Sequence, residues 1–165
     1  MNLANLNLTE KNCFVAMKYY YLILNRTYLI ILGETSLIGI VGNGLISAEG
    51  GGDEVTRLIT KSLSVQGDLN NPFSYIKNGY IRKVENLDLD GEDILLQNRA
   101  NFKIRYDEIT SVNYDPSKKW GMGYYPHDGK VYVKTSKGKK IEFIILGSQS
   151  GKSISDRIFR QKQKS

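Results

Sequence analysis

Apolar and β-branched residues dominate the first part of the chain and occupy both sets of alternating positions. The run FVAMKYYYLIL at 14–24 is followed, after Asn25-Arg26, by a second run, TYLIILG, at 27–33. Strands that are apolar on both faces are typical of sheets that are buried on both sides. The pattern therefore predicts a buried β-hairpin that turns at Asn25-Arg26.

The next apolar stretch, SLIGIVGNGLIS at 36–47, is interrupted by Gly39, Gly42 and Gly44. It fits either a bent strand that continues the sheet or a close-packed turn. The glycine order G-x-x-G-x-G differs from the dinucleotide-binding fingerprint, and a glycine-rich break follows where that motif needs a helix. Close packing of the backbone explains these glycines better.

The middle of the chain has a less regular pattern. Behind the glycines at 50–52, residues 53–65 carry apolar side chains at helical spacing after a capping Asp53, which predicts a short amphipathic helix. Residues 66–84 show no clear period and predict a loop.

The acidic stretch that follows fits two structures. Residues 87–102 form either a strand pair that turns at Asp90-Gly91 or a short helix from Glu92, and we favour the helix. The surrounding carboxylates lack the spaced ligand set of a calcium loop. We therefore expect them to lie at a solvated helix start, where the helix dipole favours negative charge.

The carboxyl-terminal half predicts an antiparallel sheet. Apolar residues alternate with charged ones from Phe102 to Tyr106 and continue with a one-position shift from Ile109, which predicts a single bulged strand. Two further strands, 130–135 and 140–146, follow and are joined by a tight turn.

The last strand leads into a glycine- and serine-rich segment, GSQSGKS at 147–153, and then into a basic helix. A P-loop needs four residues between its first glycine and Gly-Lys, whereas Gly147 and Gly151 are separated by three. We therefore interpret the segment as a strand-to-helix connection in which Ser153 caps the helix, with Ile154, Ile158 and Phe159 at helical spacing.

Composition limits the chemistry that this chain can perform. The 165 residues are 41% hydrophobic and 24% charged, which suits one globular domain over 1–165. A lone Cys13 and a lone His127 supply neither a disulfide nor a zinc ligand set, so we expect no metal and no cofactor. No secretory signal and no clean apolar run of about 20 residues is present, so we expect a cytoplasmic protein.

The sequence contains only weak candidates for a set of catalytic residues. His127 lies in the turn-like sequence YPHDG without a neighbouring serine or cysteine nucleophile, which predicts a surface histidine. An enzyme would have to assemble distant groups such as His127, Glu108 and Asp128 in one pocket. We therefore expect a protein that is not an enzyme.

Positive charge is concentrated at the carboxyl-terminal end. Residues 1–115 hold 11 basic and 14 acidic side chains, whereas residues 116–165 hold 12 and 3. The loop DPSKKWGMGYYPHDG at 115–129 combines lysines with aromatic rings, a composition suited to an anionic membrane surface or to stacking on single-stranded nucleic acid. Alternatively, its aromatic residues fold back onto the sheet. The candidate binding residues are Lys118, Lys119, Trp120, Tyr124, Tyr125, Lys134, Lys137, Lys139 and Lys140.

Two motifs of the second half, I-x-Y-x-E-I-x-x-V at 104–112 and G-K-x-I-x-F at 138–143, resemble those of bacterial and archaeal pleckstrin-homology-like (PH-like) domains, relatives of the GRAM domain. The first hairpin is similar to their opening strand pair. The resemblance covers 14–48 and 93–160.

This resemblance implies an α+β, mainly β fold, a bent antiparallel sheet closed in part like a barrel, with a carboxyl-terminal helix and a helical insertion at approximately 49–92. The family shares no catalytic residues. Its eukaryotic relatives bind phosphoinositides through a basic first hairpin loop, which here is predicted to be only Asn25-Arg26-Thr27.

Three functions follow as hypotheses. The first is a non-enzymatic PH-like binding module that engages a protein partner or an anionic membrane surface through its basic carboxyl-terminal half, at the periphery of the membrane. The second is binding of single-stranded nucleic acid, and the third is an enzyme of unknown class. The sequence does not indicate an oligomeric state.

Overall fold

The computed structural model describes residues 2–21, 24–47 and 67–165. The predicted helix over 53–65 lies outside the described residues, as does the first part of the predicted insertion. The fold class expected from the sequence is confirmed at the level of a mainly β, α+β chain with a curled antiparallel sheet and a carboxyl-terminal helix.

In the described part of the chain, seven antiparallel strands form one sheet in the order β4-β3-β2-β1-β7-β6-β5. Their bounds are β1 Cys13–Tyr21, β2 Leu24–Leu32, β3 Ser36–Ser47, β4 Phe102–Arg105, β5 Ile109–Asp115, β6 His127–Thr135 and β7 Lys140–Leu146. The predicted hairpin and the last two strands are therefore confirmed, and 36–47 is a strand rather than a turn.

The predicted turn at Asn25-Arg26 is wrong, because both residues lie inside β2. Arg26 is paired with Lys18 of β1 and with Leu45 of β3, and Asn25 is paired in the same way on both sides. A central strand satisfies its backbone hydrogen bonds on both edges, which keeps even polar residues in the sheet.

The predicted bulged strand over 102–114 is also wrong, because it is two strands. A three-residue 3-10 helix, Tyr106–Glu108, separates β4 from β5. β4 pairs with β3, whereas β5 pairs with β6, so the two strands form opposite edges of the sheet. Such a short connection requires the sheet to curl until its edges approach each other.

Aromatic packing shows which face the sheet curls around. The ring of Phe102 in β4 stacks on Phe143 in β7 with centroids 5.9 Å apart. These strands are four positions apart, which would separate them by about 19 Å in a flat sheet at roughly 4.8 Å per strand. We call the concave side that carries these rings the inner face and the opposite side the outer face.

Both faces are covered by apolar residues. The inner face packs against the carboxyl-terminal helix α3, Gly151–Lys164, through Ile154 and Ile158. The outer face is covered by the amino-terminal segment, by residues 69–95 and by Met122 and Tyr125. Burial on both sides explains why the first strands are apolar at successive positions.

Several short helices pack on the sheet. The region predicted as a loop contains the 3-10 helix Pro72–Tyr75 and the helical turn α1, Asn78–Ile81, while the favoured helix is confirmed as α2, Asp93–Gln97. A further 3-10 turn, Leu3–Asn5, lies near the amino terminus.

The cap of α3 is Ser150 rather than the predicted Ser153. The side chain of Ser150 accepts a hydrogen bond from the Ser153 amide, so the helix begins one turn earlier than the apolar spacing indicated. Phe159, placed by that spacing on the apolar face, is 44% exposed.

The glycines of β3 allow close packing, as predicted. A Cβ atom at Gly39 would lie well under 3.0 Å from the Phe102 ring, and one at Gly42 would overlap Ile76. The absence of a side chain at Gly39 thus lets the ring that defines the curl lie against β3.

Replacing Gly39 by alanine is expected to lower the free energy of unfolding by about 1–3 kcal/mol, because the Phe102 ring must leave its place. Urea denaturation measures the change. Gly79→Ala is the matched control, since a Cβ there has nothing within 4 Å, and helix propensity favours alanine by up to about 1 kcal/mol. Equal stability of the Gly39→Ala protein and the wild type would contradict this packing.

Candidate functional site

The loop between β5 and β6 divides its aromatic residues between core and solvent. Met122 and Tyr125 are each only 2% exposed, and the Tyr125 ring contacts Tyr75 with centroids 5.8 Å apart. Trp120 is 88% exposed and Tyr124 is 65% exposed. Met122 and Tyr125 therefore anchor the loop, whereas Trp120 and Tyr124 are exposed to solvent.

His127 holds the loop to the sheet and is not the surface histidine that the sequence predicted. It is buried, its Nδ1–H donates to the Tyr125 carbonyl at 3.0 Å, and its Nε2 accepts from the Lys119 amide at 3.0 Å. This pair of bonds defines the neutral ring. Burial lowers the pKa of His127, and the nearby charge of Lys118 lowers it further.

The anchored loop brings Lys119 against the outer face of the sheet. Its Nζ lies 2.7 Å from Glu142 Oε1 and 5.9 Å from the centre of the Tyr19 ring. Tyr19 is 54% exposed, although Val15 and Met17, which share its face of β1, are completely buried. The outer face therefore opens to solvent at this end of the sheet.

The β6–β7 hairpin continues this open area. Glu142 is the cross-strand partner of Tyr132, and Lys134 is the partner of Lys140. The Lys140 ammonium lies 4.1 Å from the centre of the Tyr132 ring, within the range of a cation–π interaction. Burial and a hydrogen bond with Glu142 raise the pKa of Tyr132 to about 12, so its hydroxyl is neutral.

We call the open part of the outer face, together with the exposed rings of the adjoining loop, the aromatic-basic surface. Its members are Tyr19, Lys119, Trp120, Tyr124, Tyr132, Lys134, Lys140 and the paired Glu142. Among the described residues, neither Lys134 nor Lys140 has a carboxylate within ion-pair distance of its ammonium group.

Four of the candidate residues lie elsewhere. Tyr125 is in the core, and the Lys118 ammonium donates to the His127 carbonyl. Lys137 pairs with Glu108 at 2.7 Å. Lys139 acts electrostatically on Lys18, which packs over Phe102 on the inner face.

Tyr19 and Tyr132 were missed as candidate residues. Each lies in a strand whose alternation predicts only which neighbours share its face, not which end of that face is covered. The residues that bury the other end of the outer face are distant in the chain. No local sequence pattern could therefore have identified Tyr19 and Tyr132 as exposed.

The three groups named for an enzyme are not brought together. His127 and Asp128 begin β6, where Asp128 accepts hydrogen bonds from Tyr114 Oη at 2.8 Å and from the Gly151 amide at 2.8 Å. Glu108 lies beside the opposite end of the same strand, since its carbonyl accepts from the Ser136 amide. A nine-residue strand separates the groups by roughly 25 Å.

Comparisons with known proteins leave the family open. No family model matches the chain. No curated protein matches it either. A solved structure with a partly similar backbone is the C-terminal domain of an unknown protein from Leishmania infantum, at 14% identity and a TM-score of 0.43, covering 92% of this chain and 79% of that one.

None of the helices in the described part of the chain has the length and apolar character needed to cross a membrane.

Lowering the pH from about 7.5 to about 5.5 is expected to destabilise the protein through His127. Its pKa in the folded state lies below the ordinary value of 6.5, so the unfolded chain takes up a proton first as the pH falls. The stabilisation is complete above pH 6.5 and declines below it. Urea denaturation followed by circular dichroism measures this.

The control for this prediction is His127→Gln, which cannot titrate. Its stability should change less than that of the wild type over the same pH interval. An identical pH dependence in both proteins would show that His127 is not the responsible group.

Proposed function

We propose that this protein is a non-enzymatic binding module on a PH-like half-barrel, and that its aromatic-basic surface attaches to anionic membrane surfaces. The observation that carries the proposal is the exposure of Trp120, 88%, in a loop that Met122 and Tyr125 anchor in the core. The protein thus holds a large amphipathic ring in water although other positions of the same loop are buried.

The rings of the surface suit the headgroup region of a bilayer. Tryptophan and tyrosine are enriched there, because their apolar bodies leave water while their polar groups stay hydrated. Trp120 and Tyr124 are exposed rings of one loop, and Tyr19 adds a ring from β1 beside Lys119. The Lys119 ammonium group thus lies near one exposed ring, and Trp120 is at the next position of the chain.

The charges of the surface suit an anionic leaflet. Lys134 and Lys140 are exposed and are partners across the β6–β7 hairpin. A lysine near such a leaflet contributes roughly 1 kcal/mol, which is about fivefold in affinity. Lys119 contributes less, because Glu142 already neutralises it.

The PH-like assignment is supported by architecture. A curled antiparallel sheet and a carboxyl-terminal helix packed on its inner face agree with the architecture that the resemblance implies. The proposed surface uses the β5–β6 loop and the β6–β7 hairpin, where the motif G-K-x-I-x-F occurs.

Vesicle binding tests the proposal. Trp120 is the only tryptophan, so its emission should shift to shorter wavelength when vesicles with about one third phosphatidylserine are added at low salt. Phosphatidylcholine vesicles should produce little change, and added salt should release the protein. Absence of binding to the acidic vesicles in a flotation assay at low salt would refute the proposal.

Variants assign the binding to the surface. Trp120→Ala and the pair Lys134→Gln, Lys140→Gln should each weaken flotation with acidic vesicles, the lysine pair by about 25-fold. Phe159→Ala and Arg160→Gln are matched controls, since they remove an exposed ring and an exposed charge from α3 instead. Equal losses in the control variants would indicate a general effect of charge or stability.

Single-stranded nucleic acid is the second candidate, favoured by the same exposed rings beside lysines. Bases stack on aromatic side chains for about 1–3 kcal/mol each, and phosphate contacts make affinity depend on salt. Quenching of Trp120 by oligo-dT, absent with acidic vesicles, would favour this function. Failure of both ligands would leave a protein partner as the occupant to be sought.

A further inference from the structure

A cleft of about 200 Å³ lies between the segment preceding β1 and the first turns of α3. Lys11 and Glu10 line it from the amino-terminal side, and Ser150, Ser153 and Arg157 line it from the helix. No residue of the aromatic-basic surface contributes to it. The cleft therefore belongs to a separate part of the molecule.

Arg157 is the unusual group of this cleft. Its Nε and Nη1 are buried and have no hydrogen-bond acceptor among the described residues. Burial lowers the pKa of this guanidinium, which still remains charged at neutral pH. A partly buried guanidinium with two such donors is costly, and an anion beside it removes part of that cost.

Other residues of the cleft carry hydrogen-bond donors. Ser153 lies one turn before Arg157 on α3 and lines the cleft together with Ser150, whose hydroxyl accepts from the Ser153 amide. The positive end of the helix dipole is also here, although Asp128 already accepts a hydrogen bond from the Gly151 amide. Lys11 adds a second positive charge from the opposite wall.

Two further residues of the cleft, Cys13 and Glu10, limit its chemistry. Burial raises the pKa of the Cys13 thiol to about 11, so this cysteine is not a nucleophile. Glu10 carries the only negative charge among the lining residues, but its carboxylate does not form an ion pair with Arg157 among the described contacts. Its charge opposes an anionic ligand.

We propose that this cleft binds the phosphate or carboxylate group of a small ligand, with Arg157 as the counter-charge and Ser150, Ser153 and Lys11 as further donors. The cleft volume accommodates such a group with a few additional atoms. The segment GSQSGKS, which fails as a P-loop, then serves to position two hydroxyls and the start of α3 around an oxyanion.

Thermal unfolding of the full chain in sodium phosphate, sodium acetate and sodium chloride at equal ionic strength tests the proposal. The melting temperature should rise with phosphate or acetate above its value in chloride, and by more than in the Arg157→Gln protein, since a bound anion adds to the general stabilisation that such salts produce. The more effective anion identifies the group that the cleft prefers. Equal melting temperatures in all three salts would overturn the proposal.

Arg157→Gln should weaken the apparent affinity at least tenfold while the protein still folds, because the variant removes the counter-charge of the anion and keeps a polar side chain. Arg160→Gln is the matched control, an exposed arginine of the same helix, and should respond as the wild type does. Should Arg157→Gln fail to fold, Ser153→Ala retains the charge and should weaken binding several-fold. An unchanged response in both cleft variants would refute the site.

Glu10→Gln separates the proposal from its simplest rival. If an anion binds beside Arg157, removing the opposing charge should tighten the binding of phosphate or acetate. If Glu10 is instead the partner of Arg157 in solution, the variant should be less stable in chloride and should show no gain in affinity. Flotation with acidic vesicles should not change in these variants, so this proposal and the membrane proposal can fail independently.

Discussion

Packing of the Phe102 ring against Gly39 and Phe143 sets the curvature on which the rest of the structure depends. Because β3 has no side chain at Gly39, the Phe102 ring lies directly over that strand and contacts Phe143 of β7. The two edge strands then come close enough to be joined by a three-residue turn. The inner face closes around α3, which leaves the outer face to carry the exposed surface.

The outer face is covered at one end and open at the other, and this asymmetry produces the candidate site. Residues 69–95 and the anchored part of the β5–β6 loop bury the end of β1 that carries Val15 and Met17. At the other end Tyr19 and the β6–β7 hairpin stay exposed. His127 links the two, because its neutral ring fixes the loop backbone from which Lys119 and Trp120 project.

The basic side chains of the last 50 residues lie in different environments. Lys137 and Lys119 are neutralised by carboxylates, and Lys130 is held by Asp115 at 3.0 Å. Lys134 and Lys140 remain on the open surface, whereas Arg157 lies in the cleft beside α3. The composition indicated a single basic half, whereas the structure has two basic regions. One is the aromatic-basic surface on the sheet, and the other is the concave cleft beside α3, which two serines help to line.

The sequence by itself determined the strands, because alternating and doubly apolar runs reflect burial that acts on neighbouring residues. It indicated the short helix from Glu92, the close packing of the β3 glycines and the loop that holds Trp120. It misplaced the hairpin turn, joined β4 to β5 and left His127 at the surface. Those features depend on which strands become neighbours and on contacts such as Tyr75 with Tyr125, which only the tertiary structure decides. For the same reason Tyr19, Tyr132 and Arg157 emerged as candidate residues only from the folded chain, where cover and exposure are distributed by residues distant in sequence.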